Sequence, residues 1–71
     1  MTNLIKYTET VIEKYPQLNS HIQDLLQLCN DEIEEGGSEE NEITLCWNDI
    51  EYLVKEEDSK ILSRILKIRS A

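Results

Sequence analysis

Apolar side chains recur along this chain at helical spacing, in stretches punctuated by one proline and one pair of glycines. Leu4, Thr8, Val11 and Tyr15 share one face of a helix over about 3–15, with Ile5 and Ile12 beside them. Thr2 or Asn3 stands where its N-cap belongs. Pro16 ends it, because the residue before a proline is driven out of the helical region. A second stripe, Leu18, Ile22, Leu25, Leu26, Cys29 and Ile33, predicts a helix over about 17–35 with Gln23, Gln27, Asp31 and Glu34 toward solvent. A third, Ile43, Cys46, Trp47, Ile50, Leu53 and Val54, predicts a helix over about 39–56. Leu45 and Tyr52 form a thinner stripe on the other side of that helix, and Leu28 is likewise off the stripe of the second.

Between the second and third patterns lies the acidic turn NDEIEEGGSEENE, residues 30–42. A glycine just past a helical run supplies the left-handed backbone that closes a helix. Ser38 then sits at an N-cap position, with Glu39, Glu40 and Glu42 in the following turn, where carboxylates favour the positive end of the helix dipole. At the other side Glu32, Glu34 and Glu35 crowd the negative end of the second helix, an unfavourable placement of charge. Beyond Val54 the run KEEDSK, residues 55–60, contains Asp58 and Ser59, either of which would cap a further helix over about 59–69. The apolar phase nevertheless continues, with Ile43 and Ile61, and Trp47 and Ile65, each five turns apart. Residues 39–69 therefore read as two helices or as one. The fold class expected is all-α, a single domain over residues 1–71 forming a small bundle of three or four helices built on an antiparallel helical hairpin.

The segments LQLCNDEIEE, 26–35, and ITLCWNDIEY, 43–52, align without gaps, pairing Leu28 with Leu45 and Cys29 with Cys46. The match is short, and two amphipathic helices readily converge on such a pattern, so it indicates pseudo-symmetry and no more.

At 71 residues the chain buries a modest core, and a partner or second copy would add to it. Charge is uneven: residues 15–54 hold ten acids and no Lys or Arg, whereas residues 55–71 hold five bases and three acids, within a net charge of −8. Such a field keeps the chain from direct contact with nucleic acid and anionic membrane and attracts basic surfaces. No apolar run reaches the roughly 20 residues that span a bilayer, the N-terminal stretch lacks the pattern of a signal peptide, and two cysteines make no secreted disulfide scaffold. A cytoplasmic location is expected, with Cys29 and Cys46 as free thiols packed as small hydrophobes at similar heights in the hairpin.

Candidate chemistry is thin. Counted from Asp31 as a calcium loop, Glu35, Gly36 and Glu42 occupy favourable positions, but Ile33 takes the place of an oxygen ligand and also fits the core stripe. Cys29, Cys46 and His21 offer zinc no close pair. Both cysteines lie on core faces, unlike an activated nucleophile, and acids exposed on a hairpin lack a pocket that tunes them. Trp47 serves as a core anchor or as an interface anchor. The basic apolar segment 60–69 resembles a membrane-surface helix when taken alone, yet bases suit a helix C-terminus and its apolar face finishes a core or a dimer seam.

No enzyme, cofactor or metal site is expected. The expected function is that of a small acidic interaction protein, an inhibitor or modulator that docks on a basic, nucleic-acid-binding protein surface by imitating spaced phosphates. Asp31, Glu34, Glu35, Glu39, Glu40 and Glu42 would carry it, with Asp49 and Glu51 continuing the face. In general character the chain resembles small acidic helical inhibitors, phage-encoded ones among them, although no motif assigns a family. The alternative is an assembly subunit whose Leu45, Tyr52, Leu62 and Leu66 form a homo- or hetero-oligomeric seam. A divalent-cation sensor is a third reading.

Overall fold

A computed structural model describes residues 1–70. Among them there are three α-helices and no strand: α1 (Thr2–Lys14), α2 (Asn19–Glu34) and α3 (Glu39–Ser70), with a 3-10 turn, Pro16–Leu18, between the first two. Helix α1 starts one residue earlier than its caps suggest. Met1 holds the N-cap position without a side-chain hydrogen bond, so neither Thr2 nor Asn3 caps the helix. Tyr15 closes it at φ −128°, ψ 73°, outside the helical region as a residue before proline should be. Pro16 then opens a tight 3-10 turn, so that α2 proper begins at Asn19.

The buried core is Leu4, Val11, Tyr15, Leu18, Ile22, Cys29, Cys46 and Ile50, with Thr8 among them. Thr8 is tolerated there because its hydroxyl donates to Ile5 O at 2.7 Å. Ile12, Leu25, Leu26, Ile33, Ile43, Trp47, Leu53 and Val54 pack partly buried around this centre, whereas Ile5 is exposed. Tyr7, which belongs to no predicted stripe, stacks on Trp47 with ring centroids 4.7 Å apart and planes 11° from parallel. That pair joins α1 to α3 and makes Trp47 an internal anchor.

Two glycines turn the chain from α2 into α3, for different reasons. Gly37 N–H donates to Glu32 O at 2.8 Å and Gly36 N–H to Ile33 O at 3.1 Å, the crossed pair of bonds of a Schellman motif. Gly36 has φ +103°, in the left-handed region. Gly37 is held by proximity: a Cβ there would lie 2.7 Å from Glu32 O. Ser38 then caps α3, its Oγ accepting from Asn41 N–H at 3.4 Å, ahead of Glu39, Glu40 and Glu42 in the first turn.

Residues 39–70 form one helix, 32 residues long, running through the KEEDSK segment without a break. Two acids of that segment, Glu57 and Asp58, find partners at the α1–α2 junction. Tyr15 Oη donates a short hydrogen bond to Asp58 Oδ1, and Gln17 Nε2 donates to Glu57 Oε1 at 2.9 Å. Neither acid needs to leave the helix to cap a new one. Past this clamp α3 extends beyond the other helices: every residue from Asp58 to Arg69 is exposed, and the molecule measures 53 × 17 × 17 Å.

A Tyr15→Phe substitution keeps the buried ring and removes only the bond to Asp58. It should lower stability by about 1 kcal/mol in urea denaturation, and an unchanged midpoint would show that the clamp contributes nothing.

Candidate functional site: the acidic tip and the groove between α2 and α3

The sequence repeat acquires a structural counterpart where α2 packs on α3. A groove of about 320 Å³ is lined from α2 by Leu25, Leu28, Cys29 and Glu32, and from α3 by Glu42, Leu45, Cys46 and Asp49. Each residue of the first set lies seventeen positions before one of the second, so the two walls are pseudo-symmetric. Both use the i, i+3, i+4, i+7 positions that line one face of a helix. The floor is apolar, and Glu32, Glu42 and Asp49 supply carboxylates.

Cys29 and Cys46 are free and buried, close enough for each thiol to affect the other's titration. Cys46 Sγ also lies 3.7 Å from its acceptor Leu25 O. Burial pushes the Cys46 thiol up to about 11, with Cys29 and Asp49 adding to the rise. Burial likewise raises Cys29, and the Glu42 carboxylate adds to that. Both thiols stay protonated at neutral pH, the opposite of an activated nucleophile.

A thiol raised in the folded state favours folding fully below its unfolded value, and that contribution is lost as pH rises through the folded value. Stability should therefore fall between pH 9.0 and about 11. A Cys46→Ala variant should lose that part of the alkaline decline, as thermal unfolding across this interval would read. An identical decline in both proteins would contradict the assignment.

The predicted site acids do not form one continuous face. Asp31, Glu34 and Glu35 lie at the exposed end of α2, Glu39 and Glu40 at the exposed start of α3, and Glu42 is partly buried beside the groove. Gln27 Nε2 donates to Asp31 Oδ1 at 2.9 Å and Asn30 Nδ2 to Glu34 Oε1 at 3.3 Å, which orients these carboxylates along α2. Glu39 Oε1 is 3.9 Å from the Met1 amino group.

Asp49 and Glu51 diverge, because residues two apart on a helix point about 200° apart. Asp49 lines the groove, whereas Glu51 is close enough to Tyr7 of α1 to help raise its phenol, a rise owed first to burial. Glu32, which belongs to none of the predicted site sets, lines the groove as Asp49 does. Its seventeen-residue offset from Asp49 in the repeat is the signal that points to it.

The twelve positions from Asp31 to Glu42 are not one loop, since 31–34 belong to α2 and 39–42 to α3. They lack the extended arrangement that lets alternate side chains converge on calcium. Among the described residues no group of three or more His, Cys, Asp or Glu is placed to hold a metal ion.

The candidate seam residues Leu45, Tyr52 and Leu62 are 57%, 62% and 57% exposed, and Leu66 54%. Tyr52 Oη donates to Glu56 Oε1 at 2.9 Å, which lays the phenol along α3. No helix among the described residues is long and apolar enough to cross a membrane. Compared with protein-family models, curated proteins and solved structures, the chain matches none.

Proposed function

We propose that this chain is a small cytosolic interaction protein that docks the acidic tip of an α2–α3 antiparallel hairpin, within a small helical bundle, on a basic surface of a nucleic-acid-binding protein. Imitation of spaced phosphates is the specific form of the proposal. The observation that carries it is the placement of exposed carboxylates on both sides of a glycine-locked turn, within forty residues, 15–54, that contain no Lys or Arg. Charges on rigid helices keep their spacing, so little ordering is needed on binding. Asp31, Glu34 and Glu35 at the end of α2 oppose its dipole, and contact with a basic partner would offset that penalty.

The test is capture from lysate of the source cell at low and at high salt, with partners identified by mass spectrometry. A nucleic-acid-binding enzyme released by salt, and displaced from DNA or RNA by the chain, supports the proposal. A partner held equally at both salts, or one that still binds its nucleic acid, counts against it. The second reading, assembly through exposed apolar side chains of α3, is favoured by the exposure of Leu45 and Tyr52 on one side of that helix and of Leu62 farther round it.

A further inference from the structure

We propose that Cys29 and Cys46 are a dithiol site that exchanges with small-molecule disulfides, closing an intramolecular bond that staples α2 to α3 and locks the hairpin. This inference is independent of docking through the acidic tip.

It begins with register. The midpoint of positions 29 and 46 falls between Gly37 and Ser38, at the turn itself, so in an antiparallel hairpin the two residues stand level. Both are buried, and both line the groove between the helices. Cys46 reaches across that junction, its Sγ lying 3.7 Å from Leu25 O of α2. In an α-helix that carbonyl accepts the N–H four residues on, which here is that of Cys29. The sulfur of one cysteine therefore rests on the helical turn that carries the other, and each thiol affects the other's titration.

The spacing of packed helices suits the bond. Their axes lie about 8–10 Å apart, with Cα atoms about 2.3 Å from each axis, so level residues that face each other have Cα atoms about 3.5–5.5 Å apart. Disulfides span about 4.4–6.8 Å between Cα atoms, a range that overlaps this one. The staple thus forms between helices already in place.

The chemistry is a two-step exchange with a disulfide such as oxidised glutathione. One cysteine thiolate attacks a sulfur of the small disulfide, whose S–S bond breaks to release one glutathione thiolate. The second cysteine then attacks the protein sulfur of the mixed disulfide, forming the Cys29 to Cys46 bond and releasing the second glutathione thiolate. Each glutathione thiolate takes up the proton that one cysteine gives up. The two cysteines are oxidised by two electrons and the glutathione disulfide is reduced by two. Burial of both thiols slows the first attack, since only the thiolate reacts, and leaves the equilibrium to be set by how well the fold holds the two sulfurs together.

That equilibrium is the test. The full chain is brought to redox equilibrium with reduced and oxidised glutathione, in buffer and in urea that unfolds both redox forms, then trapped by alkylation and weighed by mass spectrometry. The bond should close about a hundredfold more favourably in the folded chain than in the unfolded one. This is the counterpart of the stabilisation that cross-linking a loop of this length confers. The oxidised chain should remain monomeric and unfold about 10–20 °C higher than the reduced chain, with the gain erased by reductant. In Cys46→Ala the same treatment should leave the unfolding temperature unchanged.

Equal closure in buffer and in urea overturns the proposal. So does a product that keeps glutathione attached or links two chains, or an oxidised chain no more stable than the reduced one.

Discussion

Replacing Ile50 by alanine should lower the free energy of unfolding by about 2–5 kcal/mol, the range for removing a buried branched side chain and leaving a cavity. Ile50 is wholly buried on α3, as are Leu4 of α1 and Ile22 of α2. It therefore belongs to the small set of side chains on which all three helices depend. A single core in a chain of this size rarely supplies more than about 3–5 kcal/mol. Ile50→Ala should consequently leave a substantial unfolded population in water, visible as lost helical dichroism and a transition displaced toward zero urea. Ile68→Ala removes the same atoms from a site that is 77% exposed and should change stability by no more than about 0.5 kcal/mol. Equal effects at the two positions would contradict the placement of the core.

The second large effect is expected at the turn. Gly37→Ala puts a methyl carbon 2.7 Å from the Glu32 carbonyl oxygen, and that oxygen is backbone, fixed in the last turn of α2. The strain is relieved only by moving the chain, which weakens the 2.8 Å bond from Gly37 N–H to the same oxygen. The loss should exceed about 1 kcal/mol, since an incompatible backbone site loses more than alanine ordinarily gains.

Gly36→Ala meets no atom within 4 Å but must adopt φ +103°. Its expected loss, about 1–2 kcal/mol, comes from the conformation alone. A d-alanine at position 36, introduced by chemical synthesis, should restore most of the Gly36→Ala loss, because its mirror-image backbone favours positive φ. No restoration at position 36 would mean that the positive φ does not govern the loss there.

The core and the turn were legible because each depends on neighbours in sequence. Leu4, Thr8, Val11 and Tyr15 recur at helical spacing, and all four are buried. The glycine pair and Ser38 form a local unit whose hydrogen bonds span at most five residues. The continuity of α3 was not legible, because what holds Glu57 and Asp58 in the helix is Gln17 and Tyr15, 40 and 43 positions away. Tyr7 escaped notice for a similar reason: it lies beside the main stripe of α1, and only the position of Trp47 across the interface gives it a partner.

For the candidate site, the exposure of the tip acids followed from their place at helix ends. Their division into faces did not. Adjacency in sequence grouped Asp49 with Glu51, and helical geometry separates them. The repeat carried more information than its length suggested, since its seventeen-residue offset relates every wall residue of the groove. Which surface the tip meets depends on a partner's charges, and no residue of this chain encodes those.

The central claim, that the tip acids dock on a basic surface, is tested most directly by binding of the salt-released partner to wild-type chain and to D31N/E34Q/E35Q/E39Q/E40Q across a salt series. Glu42 and Asp49 are left in place because both line the groove between α2 and α3. The account predicts that wild-type affinity falls steeply as salt screens the contact, and that the variant binds about tenfold or more weaker at low salt with a flattened salt response. Equal affinity and equal salt dependence, with both proteins fully helical, would contradict it and leave the carboxylates as a solvated surface.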